Sequence, residues 1–440
     1  MFLSFRMKKS AVFFGCLLLA LQAVAQPYNF ISAETNGTLT ITGYDGPSGT
    51  SVAIPSTLNG LPVTGIGNGA FENKSLTSVT IPGSVTNIGA TAFEECYSLT
   101  NIVIGGSVIS IGIAAFDGCG NLASLSIPNS VNSIGDGAFY NCSGLTNISL
   151  GTNVLNIGDE AFFECTHLAG ITIPNSVTNI GYDAFYMCQK LTTISIPASV
   201  SSIGNGAFSD CPSLASIAVD GQNSNYSSVD GVLFDKTQTV LIEAPGGLVG
   251  SYAIPDSVGS IGEEGFSYCA KLNGVTIPEG VTNVGSGAFY SCTSLTAITV
   301  DTNNLIYASA DGVLFDKSQM TLIACPGGLA GCYTIPNSVT SIGSLAFFDC
   351  IYLTGVTIPS SITSIGSSTF QSCTKLAGVM IPNSVTNIGS SAFYSCSSLT
   401  NFTIGNNVLI LICFQDECNY PRPCSDAADT VAIPRQANQA

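Results

Sequence analysis

The sequence predicts a repeat solenoid with a parallel β-sheet along one side, short helical or irregular turns on the other, and two β-hairpin insertions. Three observations carry that reading. The string Ile-Pro-Asn-Ser-Val-Thr-Asn-Ile-Gly, or a close variant, begins at Ile81, Ile127, Ile173 and Ile196, and again at Ile335, Ile358 and Ile381, with a 23-residue period within each group. A phenylalanine keeps the same beat at Phe71, Phe93, Phe116, Phe139, Phe162, Phe185, Phe208, Phe266, Phe289, Phe347, Phe370 and Phe393. The chain is 45% hydrophobic and only 9% charged, so it has the apolar surface that a disordered chain lacks. One unit of this length cannot bury its own apolar face. Stacked copies bury a continuous column, and the assembly lengthens without the size limit of a single core.

From the N-terminus, residues 1–25 read as a secretory signal. Arg6, Lys8 and Lys9 precede an apolar run from Ala11 to Ala20, and Ala23-Val24-Ala25 forms a cleavage site before Gln26. Cys16 lies inside the apolar run with Leu17 to Ala20 after it, which favours simple cleavage over lipid attachment. No later segment is long and apolar enough to be a transmembrane helix. Residues 26–52 are expected to cap the N-terminal end, and 53–412 to form the solenoid. Residues 413–440 lose the pattern and form a degenerate tail containing Cys413, Cys418 and Cys424.

Within one coil, Leu76-Thr77-Ser78-Val79-Thr80-Ile81 alternates apolar and polar as a half-buried strand does. Pro82 ends it because proline has no N–H to donate. Gly89 is expected to supply a backbone angle that other residues resist. Ala92-Phe93 is expected on a short helical turn whose ring plugs the core. Neighbouring strands should lie about 4.8 Å apart.

Two coils, 219–254 and 300–335, are twelve residues longer than the rest and are copies of one another at an offset of 81 residues. Asp230-Gly231-Val232-Leu233-Phe234-Asp235-Lys236 repeats as Asp311-Gly312-Val313-Leu314-Phe315-Asp316-Lys317. Val232 to Phe234 and Val240 to Ile242 read as a β-hairpin. Such insertions project from one face, either as decoration packed on the next coil or as a binding element.

The full pattern Leu-x-x-Ile-x-Ile-Pro-x-Ser-Val-x-x-Ile-Gly-x-x-Ala-Phe-x-x-Cys resembles the BspA-type leucine-rich repeat of bacterial surface proteins, over about residues 38 to 412. The opening Ile41-Thr42-Gly43-Tyr44 through Leu61-Pro62-Val63-Thr64 resembles that family's first coil. The resemblance implies a leucine-rich-repeat-like solenoid that is secreted or attached to the cell surface. It also implies a role in adhesion or protein binding, with no catalytic residues to carry over.

Eleven of the seventeen cysteines follow the repeat phenylalanine by three residues, from Cys96 to Cys396. One per coil, arrayed in a column, suits a small buried hydrophobe better than a metal ligand. Cys325 and Cys332 differ, because Ala244 and Ser251 stand at their places in the other insertion. A disulfide closing that hairpin is the expectation.

The residues suggest no catalytic, cofactor or metal site. The single histidine, His167, has no nucleophile pattern beside it. The acidic pairs Glu94-Glu95, Asp159-Glu160 and Glu263-Glu264 fit a solvated rim better than a glycosidase dyad. Removing the signal takes away three basic residues and leaves 8 basic against 28 acidic, a net charge of −20. That balance argues against nucleic acid and anionic membranes as partners. The outward strand positions, such as Ser78, Asn101, Ser124 and Asn147, are small and uncharged, without the aromatic anchors of a binding hot spot. Aromatic residues follow the repeat phenylalanine instead, as Tyr140, Phe163 and Tyr186 in three consecutive coils. They either pack on one another between coils or form a contact surface for an extracellular protein or glycan. The expected function is therefore a secreted, non-catalytic binding or adhesion scaffold. The alternatives are a structural surface or matrix component without a discrete ligand and, more remotely, a carbohydrate-active enzyme.

Overall fold

The computed structural model describes residues 30–404 and 409–410. The expected signal sequence and the tail with Cys413, Cys418 and Cys424 lie outside the described residues. The chain winds as a β-solenoid and, among the described residues, contains no helix.

A regular coil has three hydrogen-bonded corners. Ser78–Thr80 pairs in parallel with Asn101–Val103, placing Val79 opposite Ile102 with both buried. The outer residues face solvent, as period-two alternation requires. At Pro82 the chain turns, with the Val85 N–H donating to the Pro82 carbonyl at 3.2 Å. A second parallel ladder follows, in which Asn87–Ile88 pairs with Ser110–Ile111. The sequence reading anticipated one sheet, but Asn87–Ile88 is too short to show an alternation.

The third corner is the turn around the phenylalanine, and it is not helical. Residues two before and two after each repeat phenylalanine have positive φ: Thr91 at 53° and Glu95 at 56° flank Phe93, and Glu160 at 55° and Glu164 at 56° flank Phe162. This alternation points every second N–H group of the turn toward the next coil. Thr91, Phe93 and Glu95 donate to the carbonyls of Ile113, Ala115 and Asp117 at 2.7–2.8 Å. The turns thus form a ladder of their own.

Gly89 plays a different part from the one expected. Its φ lies outside the left-handed region, and a Cβ there would come within 2.7 Å of the Asn68 nitrogen and the Gly67 carbon of the preceding coil. Close backbone approach, repeated at Gly112 and Gly135, is what demands glycine.

The phenylalanine rings from Phe71 through Phe208 stack in one file with centroids 5.0–5.7 Å apart. Each is fully buried, worth about 2–3 kcal/mol of apolar transfer per ring. The cysteines sit beside them as free thiols. Each regular thiol donates to the carbonyl of the phenylalanine one coil back, as in Cys119 to Phe93 and Cys142 to Phe116, both at 3.2 Å. Burial pushes the Cys292 thiol up to about 12.

The N-terminal end carries a hairpin. Phe30–Thr35 pairs antiparallel with Thr38–Tyr44, which in turn pairs parallel with Leu61–Ile66. In the long coils, Tyr226–Val229, Val232–Asp235 and Val240–Glu243 form an antiparallel meander, one strand more than the hairpin read from the sequence. Its last strand rejoins the second ladder by pairing with Ser260–Ile261. Tyr307–Ala310, Val313–Asp316 and Thr321–Ala324 repeat the arrangement. Both parallel ladders are interrupted at each meander, and the buried apolar residues fall into three clusters accordingly.

Candidate functional site

The turn that points Phe162 inward turns its successor sideways. Tyr140, Phe163 and Tyr186 are half-buried and stack on one another, with centroids 4.6 and 4.7 Å apart. The expected ridge therefore exists and packs on itself along the axis. It continues past the first long coil: the Tyr186 hydroxyl donates to that of Tyr268 at 2.6 Å, and Tyr268, Tyr290 and Phe348 follow edge to face. Sequence spacing alone hid Tyr268, because it stands two residues after its phenylalanine instead of one.

Acids flank this file. Glu160 and Glu164 belong to the same turn as Phe163, and Asp183 to the turn of Tyr186. Burial, then the nearby Asp159 and Asp136, raises the Glu160 carboxyl. Farther toward the N-terminus, burial and the charges of Glu94 and Glu95 push Asp117 up to about 6. His167 is exposed, with Nδ1 2.7 Å from the Ser143 carbonyl oxygen. No group of three or more His, Cys, Asp or Glu side chains suited to a metal ion occurs among the described residues.

Cys325 and Cys332 are not brought together as a bridge. Both are free thiols. Cys325 is buried beside the end of Thr321–Ala324, whereas Cys332 faces solvent on Gly331–Thr334, 3.6 Å from the Thr354 hydroxyl. Alternation along the strand turns the second thiol outward while the first packs under the next coil.

The two long coils lack the phenylalanine turn, so the turn ladder has a gap at each. On the near side of the first gap, the Phe208 N–H points where a carbonyl of the next turn would stand. The Glu243 carboxyl takes that place: Oε1 accepts from the Phe208 N–H and the Ser209 hydroxyl, both at 3.1 Å. Its Oε2 is buried without a partner. Burial pushes Glu243 up to about 8, with the Ser209 and Phe208 donors opposing and the charges of Asp183 and Glu264 adding to the rise. The 81-residue offset places Ala324 at the corresponding position of the second copy. Comparing the copies residue by residue would have exposed this difference, since an acid in one apolar strand and alanine in the other break an otherwise close match.

Residues 64–168, 133–248, 247–330 and 331–418 match the model of the BspA type leucine rich repeat region. A leucine rich cell surface protein of Faecalibacterium prausnitzii A2-165 is 31% identical, with 86% of this chain and 93% of that one covered and a TM-score of 0.60. A leucine-rich repeat protein of Bacteroides ovatus is 26% identical over 87% of this chain and 94% of that one, with a TM-score of 0.52. The pneumococcal vaccine antigen PcpA, at 20% identity, covers 87% of this chain and 96% of its own with a TM-score of 0.52, and shares the fold. No curated protein matches.

Proposed function

The chain belongs to the BspA-type leucine rich repeat family, and from that premise we propose that it is a secreted or surface-held, non-catalytic scaffold that binds an extracellular protein or glycan. The observation that carries the reading is the half-buried file of Tyr140, Phe163 and Tyr186 on an acidic turn face. The few residues that dominate binding at protein interfaces are enriched in tyrosine and tryptophan. Here they are held rigid by stacking, so little side-chain entropy is lost on contact. The strand face offers mostly small polar side chains, with isolated apolar ones such as Val103 and Met380 and no aromatic anchor among the outward positions of the regular coils. The relative described as a cell surface protein supports the location, as does the expected cleavage after Ala25. Among the described residues, no helix is long and apolar enough to cross a membrane.

The test is a pull-down from extracellular matrix and a glycan array with the mature chain beginning at Gln26. A saturable partner is expected, and the double variant Tyr140→Ala, Tyr186→Ala should weaken it by about tenfold or more. Unchanged binding in that variant would move the contact surface elsewhere. Self-association without any saturable partner would favour a structural component.

A further inference from the structure

The second long coil leaves an open cavity where the first is filled. It has a volume of about 320 Å³ and lies between the turn of Gly287, Phe289 and Tyr290 and the turn of Leu345 and Phe348, with Ala324 at its base. That volume is at the small end of the range of small-molecule sites.

The near wall carries a donor. In the regular coils each repeat phenylalanine N–H donates to the turn one coil on, as Phe266 does to Ala288 at 2.8 Å. Among the described residues, no acceptor takes the Phe289 N–H. The remaining walls are mixed: Ser286 and Ser344 line the cavity beside Val284, Leu345 and the rings of Tyr290 and Phe348, which meet edge to face with centroids 5.4 Å apart. A row of peptide N–H groups oriented the same way favours an acceptor with negative character.

The molecule shows what fits such a gap. At the first long coil, the corresponding donor of Phe208 is taken by the Glu243 carboxyl. Glu243 and Ala324 occupy equivalent positions, and the atoms that one has and the other lacks are a methylene and a carboxyl group, the skeleton of acetic acid. The space left by Ala324 exceeds that fragment, and the side chains of Leu345, Tyr290 and Phe348 offer its surplus an apolar side.

We propose that the cavity beside Ala324 binds a small monocarboxylic acid with a short apolar tail, its carboxyl accepting the Phe289 N–H as that of Glu243 accepts the Phe208 N–H. The tail packs between Leu345 and the rings of Tyr290 and Phe348. This site lies at the far end of the aromatic file, beyond Tyr140, Phe163 and Tyr186, and does not depend on a macromolecular partner.

The probe is butyrate, titrated into the full mature chain and followed by ligand-observed NMR and calorimetry, with 1-butanol as the tail-matched control. Butyrate should bind saturably at one site, about tenfold or more tighter than 1-butanol, because a carboxylate is a stronger, charge-assisted acceptor for that N–H than an alcohol oxygen. Ala324→Glu and Ala324→Gln should each fill the space from within and weaken butyrate by about tenfold or more. No saturable butyrate binding, or equal affinity for butyrate and 1-butanol, overturns the proposal. Folded Ala324→Gln that keeps wild-type affinity overturns it too. If both variants fail to fold, the comparison of the two probes on the unaltered chain decides alone.

Discussion

In the regular coils from Phe71 to Phe208, the backbone of one coil satisfies the backbone of the next. The turn N–H groups of Thr91, Phe93 and Glu95 meet carbonyls one coil on, and the side chains inside are apolar or thiols, with Asp183 the buried exception. At the two long coils that partnership lapses, and individual side chains take over. The Tyr226 hydroxyl accepts the Ile203 N–H and the Tyr307 hydroxyl the Val284 N–H, both at 3.0 Å, while Glu243 serves Phe208. Stacked coils therefore tolerate variation wherever the outline of the core is kept. The junctions depend on particular polar atoms, so that is where the two copies come to differ.

The largest expected effect probes the regular region. Phe139 stacks on Phe116 and Phe162, 5.4 and 5.3 Å away. Phe139→Ala should cost about 3–5 kcal/mol, measured by urea denaturation, because the neighbouring rings cannot collapse into the space. Phe208 stands at the junction and stacks on one ring, Phe185, among the described residues. Phe208→Ala should therefore cost about 0.5–1.5 kcal/mol less, the value of one aromatic pair. Equal losses would show that the file is not what distinguishes the regions.

Next comes the first junction alone. Glu243 has its carboxyl raised to about 8 by burial, with Asp183 and Glu264 facing it and raising it further. The unfolded carboxyl titrates near the ordinary 4.5. The folded chain thus holds a proton that the unfolded chain releases, so this group's contribution is fully present below about pH 4.5 and is lost as pH rises to about 8. Each differentially held proton changes stability by about 1.4 kcal/mol per pH unit. Glu243→Gln mimics the protonated carboxyl. It should leave stability at pH 4.5 nearly unchanged and raise it at pH 7–8 relative to the unaltered chain. Asp183, raised to about 7 by burial, keeps a residual slope of the same sign. Parallel pH profiles for the two proteins would mean that Glu243 is ionised in the fold.

The 23-residue beat made the coil, the inward phenylalanines and the cysteine column legible in the sequence, because each rests on side-chain identity at a fixed period. The second ladder and the turn ladder were not legible. Two-residue strands such as Asn87–Ile88 carry no alternation, and the left-handed positions are held by residues as unlike as Thr91, Ala114 and Leu345. Stacking imposes that backbone and local preference does not announce it. Gly89 was visible as a required glycine, yet its reason was the backbone of Gly67 and Asn68 in the preceding coil. Tyr140, Phe163 and Tyr186 were legible as a ridge, whereas their continuation through Tyr268 depended on the shape of a junction. The Cys325–Cys332 bridge failed to appear because proximity across a turn says nothing about which way each side chain faces.

The smallest effect should be shared by both junctions, and this makes it a control on the rest. Tyr226→Phe removes the acceptor of the Ile203 N–H and nothing of the ring's packing, and Tyr307→Phe does the same for Val284, losing besides only a long 3.5 Å donation to the Thr282 carbonyl. A half-buried donor left without a partner costs about 1 kcal/mol. Amide hydrogen exchange should quicken at Ile203 in the first variant and at Val284 in the second, with Ile180 in the preceding coil unaffected, since its ladder partner is the backbone of Ile203. The two losses should match, because the tyrosine cap is common to both copies, whereas Glu243→Gln has no counterpart at Ala324. If Tyr307→Phe proved silent while Tyr226→Phe did not, the junctions would differ in their backbone as well as in their filling. The open space beside Ala324 would then reflect a looser coil instead of a missing carboxyl.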